Sequence, residues 1–258
     1  MGRIIAITNQ KGGVGKTTTA INLGAALAEA NQKVLIVDFD PQGNATSGFG
    51  IERDEIEHTI YGALTGNCTM DEAILEDVND NLDMVPADMN LAATDQEFVD
   101  VDGKNEILYK LLTPYREKYD YILIDCPPSL GTLTVNALTA ANSVIIPIQC
   151  EYYALEGLNQ VLNTIRIVQE GLNPDLVMEG IVFTMDDGRN KLSQQVVETV
   201  KNNFNGNIYE TLIPRNVRLA EAPSHGMPIT QYESSSSGAE SYRLLAAEVM
   251  SKGDAIYG

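Results

Sequence analysis

The run Gln10–Lys11–Gly12–Gly13–Val14–Gly15–Lys16–Thr17–Thr18 holds the residue types best spaced for chemistry. Gly12, Gly13 and Gly15 let the backbone fold tightly, so that several N–H groups, Val14's among them, point at one anion. The run follows the apolar stretch RIIAIT (3–8) and opens TTTAINLGAALAEA (17–30), which reads as a helix. Strand, glycine-rich loop and helix form the setting of a phosphate-binding loop, where the helix N-terminus adds partial positive charge. In that role Lys16 reaches the β- and γ-phosphates of ATP, Thr17 ligates Mg²⁺ and Thr18 faces the α-phosphate. One feature departs from GxxxxGK[ST]: Gln10 occupies the first glycine position, and a second lysine, Lys11, follows it.

Two further segments end apolar runs in carboxylates. KVLIVDFDPQGNAT (33–46) carries Asp38 and Asp40, and YDYILIDCPPSLG (119–131) carries Asp125. A carboxylate at a strand's C-terminal edge, near phosphates, can orient attacking water. Asp125 has the Walker B arrangement, which holds Mg²⁺ through a water. Pro127, Pro128 and Gly131 turn the loop that follows.

These residues need a frame, and the pattern supplies it. Besides the first βαβ unit, strands are expected within 81–87, 119–128, 143–149, 178–185 and 207–214. Leu155, Leu158, Val161, Leu162, Ile165 and Val168 recur at helical spacing, as do Leu192, Val196, Val197, Val200 and Phe204. A closing helix is expected over 238–250, with Tyr242, Leu245, Ala246 and Val249 toward the core. Near-continuous apolar strands alternating with helices indicate a doubly wound α/β fold, mostly parallel, with helices on both faces. The 258 residues read as one P-loop domain.

Composition narrows the function classes. No run approaches the ~18 apolar residues of a membrane span, and the N-terminus lacks the order of a signal peptide, so a cytoplasmic protein is expected. Cys68, Cys126 and Cys150 are widely spaced and form no CxxC pair. The formal net charge is −19, concentrated in residues 52–106, which hold 16 acidic and 2 basic residues. Residues 181–258 hold 9 acidic and 7 basic residues. The acidity is therefore a belt, read as a solvated face.

KGGVGKTT resembles the deviant Walker A loop of the class that contains ParA, MinD and the nitrogenase iron protein. CEYYALEGL (150–158) and IPRNVRLAEAPSHG (213–226) are similar to the ParA/Soj branch that partitions bacterial chromosomes and plasmids. The resemblance implies a slow ATPase that forms a homodimer when ATP-bound, with Lys11 reaching across to the partner's nucleotide. It implies that Asp40 aligns the water in switch I, that Asp38 lies near the Mg²⁺ shell and that Pro214 and Asn216 contact the base, Arg215 less so. It also implies a ParB-like partner that stimulates hydrolysis, and nucleoid association through non-specific DNA. The matching DNA contacts are Arg189 and Arg218, with Lys191, Arg243 and Lys252 as weaker additions. YESSSSGAESY (232–242) lacks the basic residues common in relatives, so weak, salt-sensitive binding is expected. No N-terminal helix-turn-helix fits, and no in-cis arginine is evident beside the switches.

Three other readings use the same loop. A MinD-like membrane-cycling ATPase needs a basic amphipathic C-terminal helix, whereas VMSKGDAIYG has one lysine. A cluster carrier needs two suitably placed cysteines, and only Cys126 lies in a switch. A biosynthetic ligase needs substrate residues that are not visible.

Overall fold

Most strands of this chain are apolar at successive positions, and folding buries both of their faces. The computed structural model describes residues 1–151 and 154–257, with the side chains of 154–156 and 253–257 outside the description. Tyr152 and Tyr153 of CEYYALEGL, and the Leu155 side chain, therefore lie outside it.

Among the described residues, eight strands make one sheet: β1 (Arg3–Ile7), β2 (Val34–Asp38), β3 (Leu75–Asn79), β4 (Leu82–Val85), β5 (Tyr121–Asp125), β6 (Ser143–Gln149), β7 (Val177–Asp186) and β8 (Ile208–Pro214). The order is β3-β4-β2-β5-β1-β6-β7-β8. Only the β3–β4 pair is antiparallel. The longer helices are α1 (Lys16–Glu29), α2 (Thr132–Ala140), α3 (Ala154–Gly171), α4 (Lys191–Asn203) and α5 (Ser237–Tyr257).

Side chains alternate across each strand, which sorts the core into two layers. Ile4 and Ala6 of β1 join Ile122 and Ile124 of β5 on one face, packed by α2, α3 and α4. Ile5, Ile7, Tyr121 and Leu123 face the other way, against α1 and α5. Tyr242, Leu245, Ala246 and Val249 are at most 1% exposed, so the apolar stripe of α5 is spent on the core. Burial of each large one contributes about 1.5–3 kcal/mol. In α4, Val196 and Val200 are buried as the period predicts, but Leu192 is 41% exposed in the first turn.

The sheet has one strand that periodicity did not indicate. β3 is LEDVN, with Glu76 and Asp77 exposed and the other three residues half-buried, at the edge. Glu76 and Asp77 place charge where an unpaired strand could recruit another chain. Part of the acidic belt therefore sits on a sheet edge.

At the centre, the chain leaves β1 toward β2 on one side and later crosses from β5 to β6 on the other. β1 therefore stands at a topological switch point, and a crevice opens at the carboxyl ends of the strands there.

Candidate active site

The loop after β1 is held from both sides and open in front. The Asn9 side-chain amide donates to the Pro147 carbonyl at 2.7 Å, and Asn9 Oδ1 accepts the Lys11 N–H at 3.0 Å. The Thr184 hydroxyl donates to the Val14 carbonyl at 2.8 Å. Gly13 and Gly15 have φ of 73° and 85°, which a side chain would strain. A Cβ on Gly12 or Gly13 would meet nothing within 4 Å, so the mouth of the loop is clear. α1 begins at Gly15 with no side-chain cap and no acidic residue in its first turn. Its first N–H groups thus lack intrahelical partners, and the positive end of its dipole faces the mouth.

The two lysines diverge. Lys16 is 7% exposed, with Nζ 3.3 Å from the Lys11 carbonyl. Burial lowers its pKa, and the Asp125 charge opposes that. Lys11 instead lies at the surface, with Nζ 3.1 Å from Glu151 Oε2. Gln149 donates to the other Glu151 oxygen at 2.6 Å and steadies this acceptor.

The carboxylates meet because of strand register. Asp38 and Asp125 are paired residues on adjacent β2 and β5, and Asp125 also pairs with Ile7, just before the loop. Neighbouring strands lie about 4.8 Å apart. Asp38 Oδ2 accepts the Thr46 N–H at 2.8 Å and its hydroxyl at 2.7 Å. Asp38 is fully buried, and burial pushes its pKa up to about 6 against those two bonds. It therefore ties β2 to the short helix Asn44–Gly48. Asp40, 6% exposed, turns one oxygen to the Gln42 N–H at 2.9 Å. Asp125 is fully buried, and neither of its oxygens makes a hydrogen bond of ordinary length. Burial, then the Asp38 charge, drive its pKa well above the usual carboxylate value; the Thr17 hydroxyl and Lys16 offset this only in part.

Beside the start of α1 lies a cavity of about 170 Å³ lined by Thr18, Met185, Pro214, Asn216, Leu219 and Tyr242, among others. Pro214 and Asn216 thus meet the loop across this space. Asn216 Oδ1 accepts the N–H of Arg218 and of Leu219, capping the short helix Val217–Glu221. Its amide nitrogen donates to Ser237 at 2.9 Å. Arg215 also lines the cavity, and its N–H donates to the Asp186 carbonyl at 2.9 Å. Sequence reasoning missed Met185, whose φ of 52° carries no sequence signal, and Tyr242, read only as core.

Arg189 and Arg218 follow the carboxyl ends of β7 and β8, so both lie at the same end of the sheet as the loop. Arg189 is exposed; Arg218 pairs with Glu221 at 2.8 Å. Lys191 begins α4 and is exposed. Arg243 holds Glu29 at 2.7 Å, and Lys252 holds Asn207 at 2.9 Å over the Tyr209 ring, so both have structural partners. An arginine does stand beside a switch: the Arg53 guanidinium donates to the Gln42 carbonyl. It lies just past the 33–46 run and carries no motif of its own, so nothing in the sequence marked it.

A phosphate-type loop at a topological switch point, with a strand-end carboxylate on the neighbouring strand, defines a P-loop ATPase. A family model described as an AAA domain matches residues 2–178. The chain is 55% identical to the sporulation initiation inhibitor protein Soj of Bacillus subtilis, over 98% of this chain and 100% of that protein. It is 54% identical to the chromosome partitioning protein ParA of Myxococcus xanthus, over 98% of this chain and 89% of the other. A solved structure, cobyrinic acid a,c-diamide synthase from Mycobacterium smegmatis with bound ADP and magnesium, superposes with a TM-score of 0.87 at 35% identity, over 98% of this chain and 96% of that one. The chain belongs to the ParA/Soj family of chromosome-partitioning ATPases.

Proposed function

We propose that this chain is an ATP-driven switch in which two copies close face to face on two magnesium nucleotides, bind DNA without sequence preference and separate on hydrolysis. A ParB-like partner sets the timing. The observation that carries this reading is the divergence of the two loop lysines: Lys16 is buried within its own loop, while Lys11 is displayed at the surface. A lysine serving its own phosphates has no need to face outward.

The residues fit the group. Uncapped N–H groups at the start of α1 suit phosphate, and the unpaired, buried Asp125 suits a nearby cation. Thr17 and Asp125 would hold a Mg²⁺ ion together with phosphate oxygens and water. When bound, the metal would neutralise charge that develops on the transferred phosphoryl group. Lys16 would hold the β- and γ-oxygens. Asp40 would orient the water from the end of β2, with Asp38 fixing that loop through Thr46. Lys11 of each copy would offset the repulsion between facing triphosphates, so closure depends on the γ-phosphate. Thr18 would face the α-phosphate, and Pro214 and Asn216 would receive the base. Arg189 and Arg218 would meet DNA phosphates, which carry no sequence information. The Arg218–Glu221 pair is exposed and contributes little, so it can open.

The test records mass by light scattering and binding to random duplex DNA with ATP, ADP or no nucleotide. Wild type should dimerise and bind DNA with ATP only. Asp40→Ala should accumulate as the ATP dimer, Lys11→Ala should remain monomeric with ATP bound, and Arg218→Glu should dimerise without DNA. A wild-type ATP dimer that ignores DNA at about 50 mM salt, where phosphate contacts are strongest, would remove the DNA step.

A further inference from the structure

Two of the contacts between the acidic segment 52–106 and the switch loops bear on the carboxylates in a way the roles above do not use. In the first loop, Asp40 Oδ1 accepts the Gln42 N–H at 2.9 Å, and the Gly43 N–H donates to the Asp40 carbonyl at 2.8 Å. This closes a tight turn over Asp40. From outside, the Arg53 guanidinium donates to the carbonyl of Gln42. A Cβ on Gly43 would lie 3.3 Å from the same nitrogen, so the guanidinium sits against the turn.

The second contact is on the loop after Asp125. Asp95 Oδ1 accepts the Thr132 N–H at 2.9 Å. Thr132 is the first residue of α2, and the N-cap residue, Gly131, supplies no side-chain bond. Asp95 therefore caps α2 from a different element, and a carboxylate suits that end of the helix dipole. The approach is close: a Cβ on Gly131 would stand 2.9 Å from Asp95 Oδ2. Asp125 and this capped turn are joined by only five residues, 126–130.

We propose that Arg53 and Asp95 are positioning residues for hydrolysis: one clamps the Asp40 turn, the other the start of the helix that follows the Asp125 loop. The inference rests on the catalytic reading of Asp40 and Asp125 given above. Neither residue lines the cavity beside the start of α1. Arg53 limits the turn that carries Asp40, whose carboxylate must be placed to a fraction of an ångström, and Asp95 limits the 126–130 loop that leads on from Asp125. The belt, acidic as a whole, thus brings one cation and one anion to the two places where each charge is useful.

Steady-state hydrolysis over a range of Mg·ATP concentrations tests this by giving kcat and KM, with thermal melting measured on the same preparations. Arg53→Ala and Asp95→Ala should each lower kcat about 10-fold, with KM unchanged and the melting temperature lowered by no more than the few degrees that loss of one cap costs. Arg53→Lys keeps a donor and Asp95→Asn keeps an acceptor, so both should recover most of the rate. Gly131→Ala should lose rate because its methyl displaces Asp95. Adding Asp95→Ala to it should cause no further loss, since the colliding carboxylate is gone. The brace is overturned if the alanine variants keep wild-type kcat, if kcat falls only together with melting temperature and a raised KM, or if Asp95→Asn is as slow as Asp95→Ala. Asp40→Ala separates the levels. Should it turn over at the wild-type rate, the catalytic reading fails and the brace with it; should it be slow while Arg53→Ala and Asp95→Ala are fast, only the brace fails.

Discussion

At Asp125 a carboxylate is held away from water with no hydrogen bond of ordinary length, next to Asp38 on the adjacent strand. Both have pKa values above the ordinary 3.8. The folded protein therefore binds more protons than the unfolded chain between about pH 4 and the raised values, and nucleotide-free stability declines as pH rises through that window. Asp125→Asn should stabilise the nucleotide-free protein at pH 7 by about 1–3 kcal/mol, flatten that decline and abolish hydrolysis. Thermal melts at pH 5 and 7 check it; a variant less stable than wild type at pH 7 would contradict the argument. Glu151 offers a second residue-scale prediction. Its pair with Lys11 is half exposed, so it contributes less than about 1 kcal/mol. Glu151→Gln should free Lys11 and lower the ATP concentration for half-maximal dimerisation by roughly 2–5-fold, read by light scattering. An unchanged midpoint would mean that the pair does not compete with dimerisation.

Among the elements, α5 does more than cover the sheet. β8 is an edge strand, and Glu248 on α5 accepts the N–H of Glu210 at 2.9 Å and of Thr211 at 2.8 Å. One carboxylate thus pairs backbone donors that the edge would expose. Burial opposes its charge, but the Thr211 hydroxyl and the two N–H groups prevail and hold its pKa below the ordinary 4.5. Its contribution is present above that value and lost as pH falls through the lower folded value. Glu248→Ala should cost about 1–3 kcal/mol at pH 7, and the gap from wild type should close in acid. Urea denaturation at both pH values measures it. The apolar stripe of α5 and most strands were legible because period and composition report burial directly. β3 was not, since a partly exposed edge strand needs no apolar alternation.

For the whole molecule, charge distribution matters more than the sum of −19. The belt includes the β3 edge, whereas Arg189 and Arg218 follow β7 and β8 toward the opposite edge of the sheet. Exposed charges further apart than about 8–10 Å are screened at physiological salt. If the DNA reading holds, removing either arginine should reduce the slope of log K against log salt by about 1, measured by anisotropy between about 50 and 200 mM. An unchanged slope would move the DNA contact elsewhere. The described residues include no helix long and apolar enough to cross a membrane.

The sequence by itself determined the loop, its second lysine, the strand-end carboxylates and the α/β class, because each is a local pattern: glycine spacing, an apolar run, a helical period. Only the tertiary structure decided which carboxylates stand side by side, since strand register pairs residues 87 positions apart, Asp38 with Asp125. It also decided where Lys11, Arg53 and Asp95 are held. Their partners, Glu151, Gln42 and Thr132, are chosen by packing between elements, and no local pattern encodes that choice.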